Sequence, residues 1–248
     1  METMKTFHRL LLYAGAALWA IAGPGLPDAG AETCRADGRG RIMGITAGDR
    51  TVRLTTDLRL PSPGWKNVAA LRQARNLSRT EDDGRRTWTG VIEPAAGQSC
   101  RFVQVLTEME NAAVLRIEVT ALEDTDLEGV YFFLDVPIAP FAGGTGWMWP
   151  PGGGPRRTAL PEKKPPKHHL LAGMAERIRL ADSTGEKRLE MALDRAYSSM
   201  IQDNRAFNLG TYSCLVEISR GALPKGDSVS LQLALSLQFM HDAVMMLS

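Results

Sequence analysis

The sequence predicts an all-β fold, a large two-layer antiparallel β-sandwich with one long Gly/Pro-rich loop, preceded by an N-terminal signal peptide. Three observations predict it. Apolar and polar residues alternate along several runs, as in SVSLQLALSLQF, where Val229, Leu231, Leu233, Leu235, Leu237 and Phe239 share one face. Period two is the mark of a strand with one buried and one wetter face. Clusters of turn residues separate these runs, among them Asp82-Asp83-Gly84, Asp182-Ser183-Thr184-Gly185 and Pro224-Lys225-Gly226-Asp227. Finally, GVYFFLDVP is apolar on both faces, as a central strand covered on each side would be.

The elements follow in chain order. Lys5, His8 and Arg9 form a basic n-region, Leu10 to Gly23 an apolar h-region, and Ala29-Gly30-Ala31 a small-residue cleavage site before Glu32. The apolar run is shorter than a bilayer-spanning helix, and Thr33 before Cys34 does not fit a lipoprotein. Residues 1–31 are therefore expected to be removed, leaving an exported domain, 32–248, periplasmic or extracellular and without membrane attachment.

TVRLTTDLRL opens the strand series, and VAALRQARNLSR from Val68 to Arg79 is ambiguous but fits a short helix. Trp65 and Trp88 lie beside strand patterns and are expected in the core. VLRIEVTA alternates Leu115, Ile117 and Val119 with Arg116, Glu118 and Thr120. The acidic run from Glu123 to Gly129 lacks calcium-loop spacing and reads as a solvated turn. GMAERIRLADSTGEKRLEMAL reads as a hairpin with Ile178, Leu180, Leu189, Met191 and Leu193 inward, and TYSCLVEIS adds another strand. Between 140 and 166 glycine and proline dominate and no period survives, so a long loop is expected there.

The chain of 248 residues is 44% hydrophobic, enough for a substantial core. Its 29 Lys and Arg against 28 Asp and Glu exclude the concentrated positive charge that a nucleic-acid partner needs. Of the three cysteines, Cys214 falls on an apolar strand face and reads as a buried thiol, which leaves Cys34 with Cys100 as the preferred disulfide.

The succession AVLRIEVTALEDTDLEGVYFFLDVPIAPFAGGT, RIRLADSTGEKRLEMAL and MIQDNRAFNLGTYSCLVEIS resembles the galactose-mutarotase-like, or supersandwich, domains that accompany bacterial glycoside hydrolases and polysaccharide-acting enzymes. The likeness spans roughly Thr51 to Phe239 and rests on strand order and on phrases such as LEDTDLEGV, LDVP and QDNR. It implies a fold and an association with carbohydrate; no catalytic signature is matched.

Two constellations follow as candidate ligand sites. Trp147 and Trp149 in FAGGTGWMWPP offer stacking surfaces for a pyranose, with Arg156 and Arg157 available for hydroxyl or acidic groups; the same indoles would also serve as a lid over the sandwich end. Gln202, Asp203, Asn204 and Arg205 supply the paired donors and acceptors that sugar hydroxyls need, or else a turn held by its own side chains. Asp135, Glu190, Asp194, Asp203 and His168 are candidates for acid–base chemistry, but none sits in a distinguishing motif. His168-His169 lacks partners at metal-ligand spacing, so no metal or other cofactor is expected. The expected function is non-catalytic binding of a poly- or oligosaccharide. A small epimerase or lyase, and an assembly module with a protein partner, stand as alternatives.

Overall fold

The computed structural model describes residues 33–109 and 112–240; the expected signal peptide lies outside them. Sixteen strands occur among the described residues: β1 (Cys34–Ala36), β2 (Ile42–Ala47), β3 (Arg50–Arg53), β4 (Thr55–Pro61), β5 (Val68–Ala70), β6 (Arg75–Asp82), β7 (Arg85–Ala95), β8 (Gln98–Met109), β9 (Ala112–Ala121), β10 (Gly129–Pro137), β11 (Thr145–Trp149), β12 (Arg156–Ala159), β13 (His169–Ala181), β14 (Lys187–Asp203), β15 (Thr211–Arg220) and β16 (Ser228–Phe239). Every pairing is antiparallel, as the alternating patterns require.

The architecture turns on β14. Along one edge it pairs with β13, through Arg188–Ala192 and Tyr197–Gln202 with a bulge between them. Along the other edge, Lys187–Leu193 pairs with β16 and Ser198–Asp203 with β15. The sheet therefore forks, one arm running β16-β9-β8-β7-β6 and the other β15-β10-β4-β5. Asp194 stands at the fork, where its Oδ1 accepts from the Tyr197 hydroxyl at 3.0 Å and from the Gln232 amide at 3.2 Å. Burial, with Asp194 alongside, pushes the Tyr197 phenol up to about 12.

The two arms enclose one apolar core. Leu58, Phe132, Leu134 and Val216 come from one arm, and Phe102, Leu115, Ile117, Leu233 and Leu235 from the other. Each such side chain contributes about 1.5–3 kcal/mol when fully buried. In β10, all of Val130 to Leu134 is buried between β4 and β15, as a strand apolar on both faces demands. The hairpin of β13 and β14 also forms, with Ile178, Leu180, Leu189 and Met191 inward. A separate sheet, β1-β2-β3, abuts the core. Its approach depends on Gly40 at φ 89°, where a Cβ would lie 2.7 Å from Gln104 Nε2 and 3.0 Å from the Trp88 ring.

Several sequence expectations are corrected. Residues 68–79 form no α-helix but β5, a 3-10 turn at Leu71–Gln73, and the start of β6. Trp88 is core, but Trp65 is 42% exposed, tilted at 45° against Tyr131 with ring centres 4.9 Å apart. The segment 140–166 is not structureless, since it holds β11 and β12. Two of its glycines, Gly144 and Gly146, serve close approach rather than flexibility. A Cβ on Gly144 would fall on the Ala181 carbonyl oxygen, and one on Gly146 would lie 2.8 Å from Ile201 Cδ1.

The Cys34–Cys100 bridge is not made. Thr33 N donates to Glu108, so Cys34 sits near the Glu108 end of β8. Cys100 lies eight residues away along the same strand, about 26 Å at a rise of about 3.3 Å per residue. A disulfide needs Cα atoms within about 7 Å. Cys100 is instead a buried thiol 3.9 Å from Thr125 Oγ1, its ionisation pushed up by burial. Cys214 is a buried thiol as expected, pushed up by burial and by the neighbouring Asp135.

Candidate functional site

β11 runs between β12 and β13. It pairs Trp147 with Arg157 on one side and Arg179 on the other, and Trp149 with Arg177. Arg179 pairs in turn with Glu190 of β14, and Glu190 with Ser236 of β16. Directly paired residues share a face. Arg157, Trp147, Arg179, Glu190 and Ser236 thus form one cross-strand row, with Trp149, Arg177 and Ala192 in the next. The intervening residues Met148, Ile178, Leu189 and Met191 are buried in the core, so both rows face out of the sandwich.

Glu190 points outward yet is only 9% exposed. Arg179 covers it, with Nε and Nη2 donating to Oε2 at 2.8 and 2.5 Å. Arg177 Nη1 lies 3.9 Å from Oε1, an ion pair beyond hydrogen-bond reach. Both guanidiniums also stand over Trp149, their central carbons 4.1 Å (Arg177) and 5.0 Å (Arg179) from the ring centre. Trp149 is therefore a base for arginines rather than a bare stacking platform. Trp147 is half-buried and Arg157 exposed. Arg156 points elsewhere, donating Nη1 to the Ala172 carbonyl at 3.0 Å.

The Gln202–Arg205 group is arranged differently. Asp203 is fully buried and takes Arg205 through Nε at 3.0 Å and Nη2 at 2.6 Å, as well as the Arg205 amide at 3.0 Å. Arg205 also reaches three carbonyls, Glu162 through Nη1 at 2.5 Å and Pro161 and Lys163 through Nη2 at 2.6 and 3.0 Å. Tyr212 adds its hydroxyl to the Pro161 carbonyl at 2.6 Å. Gln202 donates to Asn204, which donates to Thr211 and Ser213. These polar groups satisfy one another and fasten the segment after β12; they make a self-bonded turn.

The other titratable candidates scatter. Asp135 binds Arg59 Nη2 at 3.0 Å and the Ser213 hydroxyl. His168 packs edge-on against Phe207, ring centres 5.2 Å apart. Near Asp135, the buried Asp57 has Oδ2 3.4 Å from Arg59 Nε, while its Oδ1 has no hydrogen-bond partner among the described residues. Burial pushes the Asp57 carboxyl up, with Arg59 opposing.

Sequence reasoning named the tryptophans, Arg157 and Glu190 but missed Arg177 and Arg179. A signal was available, since both occupy outward positions of the predicted hairpin, opposite Ile178 and Leu180.

The chain is similar to several solved structures. One is a galactose mutarotase-like protein from Lactobacillus casei, at 11% identity over 82% of this chain and 96% of that one, with a TM-score of 0.55. The fold is galactose-mutarotase-like. A protein from Synechocystis sp. PCC 6803 shares 9% identity over 83% of this chain and 91% of its own, TM-score 0.51. A galactose mutarotase related enzyme from Lactobacillus acidophilus shares 8% over 82% and 93%, TM-score 0.50. At these identities the likeness is one of fold. No family model and no curated protein matches the sequence.

Proposed function

We propose that this galactose-mutarotase-like protein is exported and binds carbohydrate without turning it over, through the outward face of β11, β13 and β14. One observation carries the reading. On an open sheet face, Arg179 and Arg177 are braced against Trp149 and held by Glu190, beside the half-buried Trp147. A sugar site needs this mixture of a rigid aromatic surface and preset polar groups. The mutarotase-like fold of the neighbours supports an association with sugars, and the leader pattern of residues 1–31 supports export.

The geometry favours binding over an epimerase or lyase. General acid–base chemistry requires a group within reach of the proton it exchanges. Two Arg179 donors occupy Glu190 Oε2, and the other carboxylates considered sit in separate clusters. Affinity electrophoresis of the purified protein through gels containing different polysaccharides tests the reading. Retardation by at least one glycan is expected, and unchanged mobility in all of them would refute it. N-terminal sequencing of protein recovered outside the cytoplasm should begin at Glu32.

A further inference from the structure

Resting on that carbohydrate reading, we infer that the ligand is an acidic glycan, one carrying uronic acid carboxylates, and that Arg177 and Arg157 are the groups that recognise it. The outward face is asymmetric in charge. Arg157, Arg177 and Arg179 stand on neighbouring strands, with Glu190 as the carboxylate in their rows. Glu190 occupies Arg179 alone by hydrogen bonding. Among the described residues, the Arg177 guanidinium makes no hydrogen bond, and that of Arg157 makes neither a hydrogen bond nor an ion pair. Arg177 is nevertheless held in place, over Trp149 and beside Glu190.

A guanidinium braced on an aromatic ring has lost much of its rotational freedom while keeping its N–H donors, so little entropy remains to be lost when an anion docks. The donors form a planar fork that matches a carboxylate in a bidentate manner. A neutral pyranose would leave Arg157 without a counter-charge and the open N–H donors of Arg177 without an anionic acceptor, and Trp149 is already covered by guanidinium. Glu190 acts as a positioning residue that locks Arg179 and helps to orient Arg177.

The spacing suits a chain ligand. Arg157 and Arg177 lie on strands flanking β11, two strand spacings of about 4.8 Å apart and displaced by two residues along the sheet. Two carboxylates on one oligosaccharide could thus be met together.

The test uses the full protein and gel retardation by a panel of uronate polymers (polygalacturonate, alginate, hyaluronan), each paired with its carboxyl-reduced, neutral counterpart. Dextran sulfate serves as a sulfated control. Retardation by at least one uronate polymer is expected, weakened about tenfold or more by carboxyl reduction and by Arg177→Gln or Arg157→Gln, as loss of a charge-assisted pair predicts. Arg177→Lys, which keeps the charge but not the fork, should also weaken binding. Arg220→Gln, an exposed arginine on β15, should leave it unchanged.

Equal binding of the acidic and reduced polymers would overturn the acid preference while leaving the carbohydrate reading intact. Dextran sulfate binding as tight as any uronate polymer, with Arg220→Gln as damaging as Arg177→Gln, would mean ion exchange and overturn it too. Retention by no polymer, acidic or neutral, would overturn both readings.

Discussion

Arg205 and Arg179 each grip a carboxylate of β14 with two guanidinium nitrogens, Arg179 from β13 and Arg205 from the 3-10 turn that follows β14. Around Arg205 every contact closes inward, onto Asp203 with no exposed surface and onto three carbonyls of the chain after β12. Around Arg179 the pair lies on an outward face, and the neighbouring Arg177 is left with its donors open. The same chemistry serves as a fastening in one place and as a presented surface in the other. Residue type does not separate the two uses; the number of hydrogen-bond partners already satisfied does.

The largest expected effect breaks the fastening. Asp203→Ala strands a guanidinium among carbonyls and removes the acceptor for the Arg205 amide, so a loss of about 3 kcal/mol in urea unfolding is expected, in line with removing one partner of a buried pair. A loss below about 1 kcal/mol would show that the turn is not structural.

Gly144→Ala attacks the other region through its backbone. The new Cβ meets the Ala181 carbonyl, so β11 must shift from β13, at a cost of about 1–3 kcal/mol. Red-shifted tryptophan emission from Trp147 and Trp149 should accompany it, and an unshifted spectrum would argue against docking of β11 as described.

Glu190→Gln should behave oppositely to Asp203→Ala. Glutamine keeps an acceptor for Arg179 and loses only the charge assistance, so stability should move by about 1 kcal/mol or less. Glycan retention should nonetheless fall by about tenfold, or 1.4 kcal/mol, because Arg179 and Arg177 lose their orientation.

The smallest effect is a pH dependence at Asp57. Its folded carboxyl is raised above the unfolded value, chiefly by burial, so the native state holds the proton more tightly. This contribution favours folding at low pH and fades as pH rises through the raised value. Asp57→Asn should remove that decline, which urea midpoints measured between about pH 4 and pH 7 would reveal.

Much of this was legible in local pattern. The alternation in SVSLQLALSLQF and VLRIEVTA gave β16 and β9 their buried faces, and GVYFFLDVP announced a central strand. The glycines before Trp147 misled, because a residue chosen for close approach to Ala181 and Ile201 has the same letter as one chosen for flexibility. Trp65 misled as well, since lying beside a strand did not bury it. The cysteine pairing failed because parity of thiols carries no information about distance along β8.

Period-two hydrophobicity is set by neighbours in the chain, so the sequence by itself determined the all-β class and the buried faces of strands such as β9, β14 and β16, while β11 and β12, which lack that period, escaped it. Which polar residues were left open was decided only by tertiary structure. The forked pairing of β14, the row that joins Arg157, Trp147, Arg179 and Glu190, and the closure of Arg205 onto Pro161–Lys163 all link residues distant in sequence. Whether a donor remains available depends on every acceptor that folding brings within about 3 Å of it, and no local pattern records that.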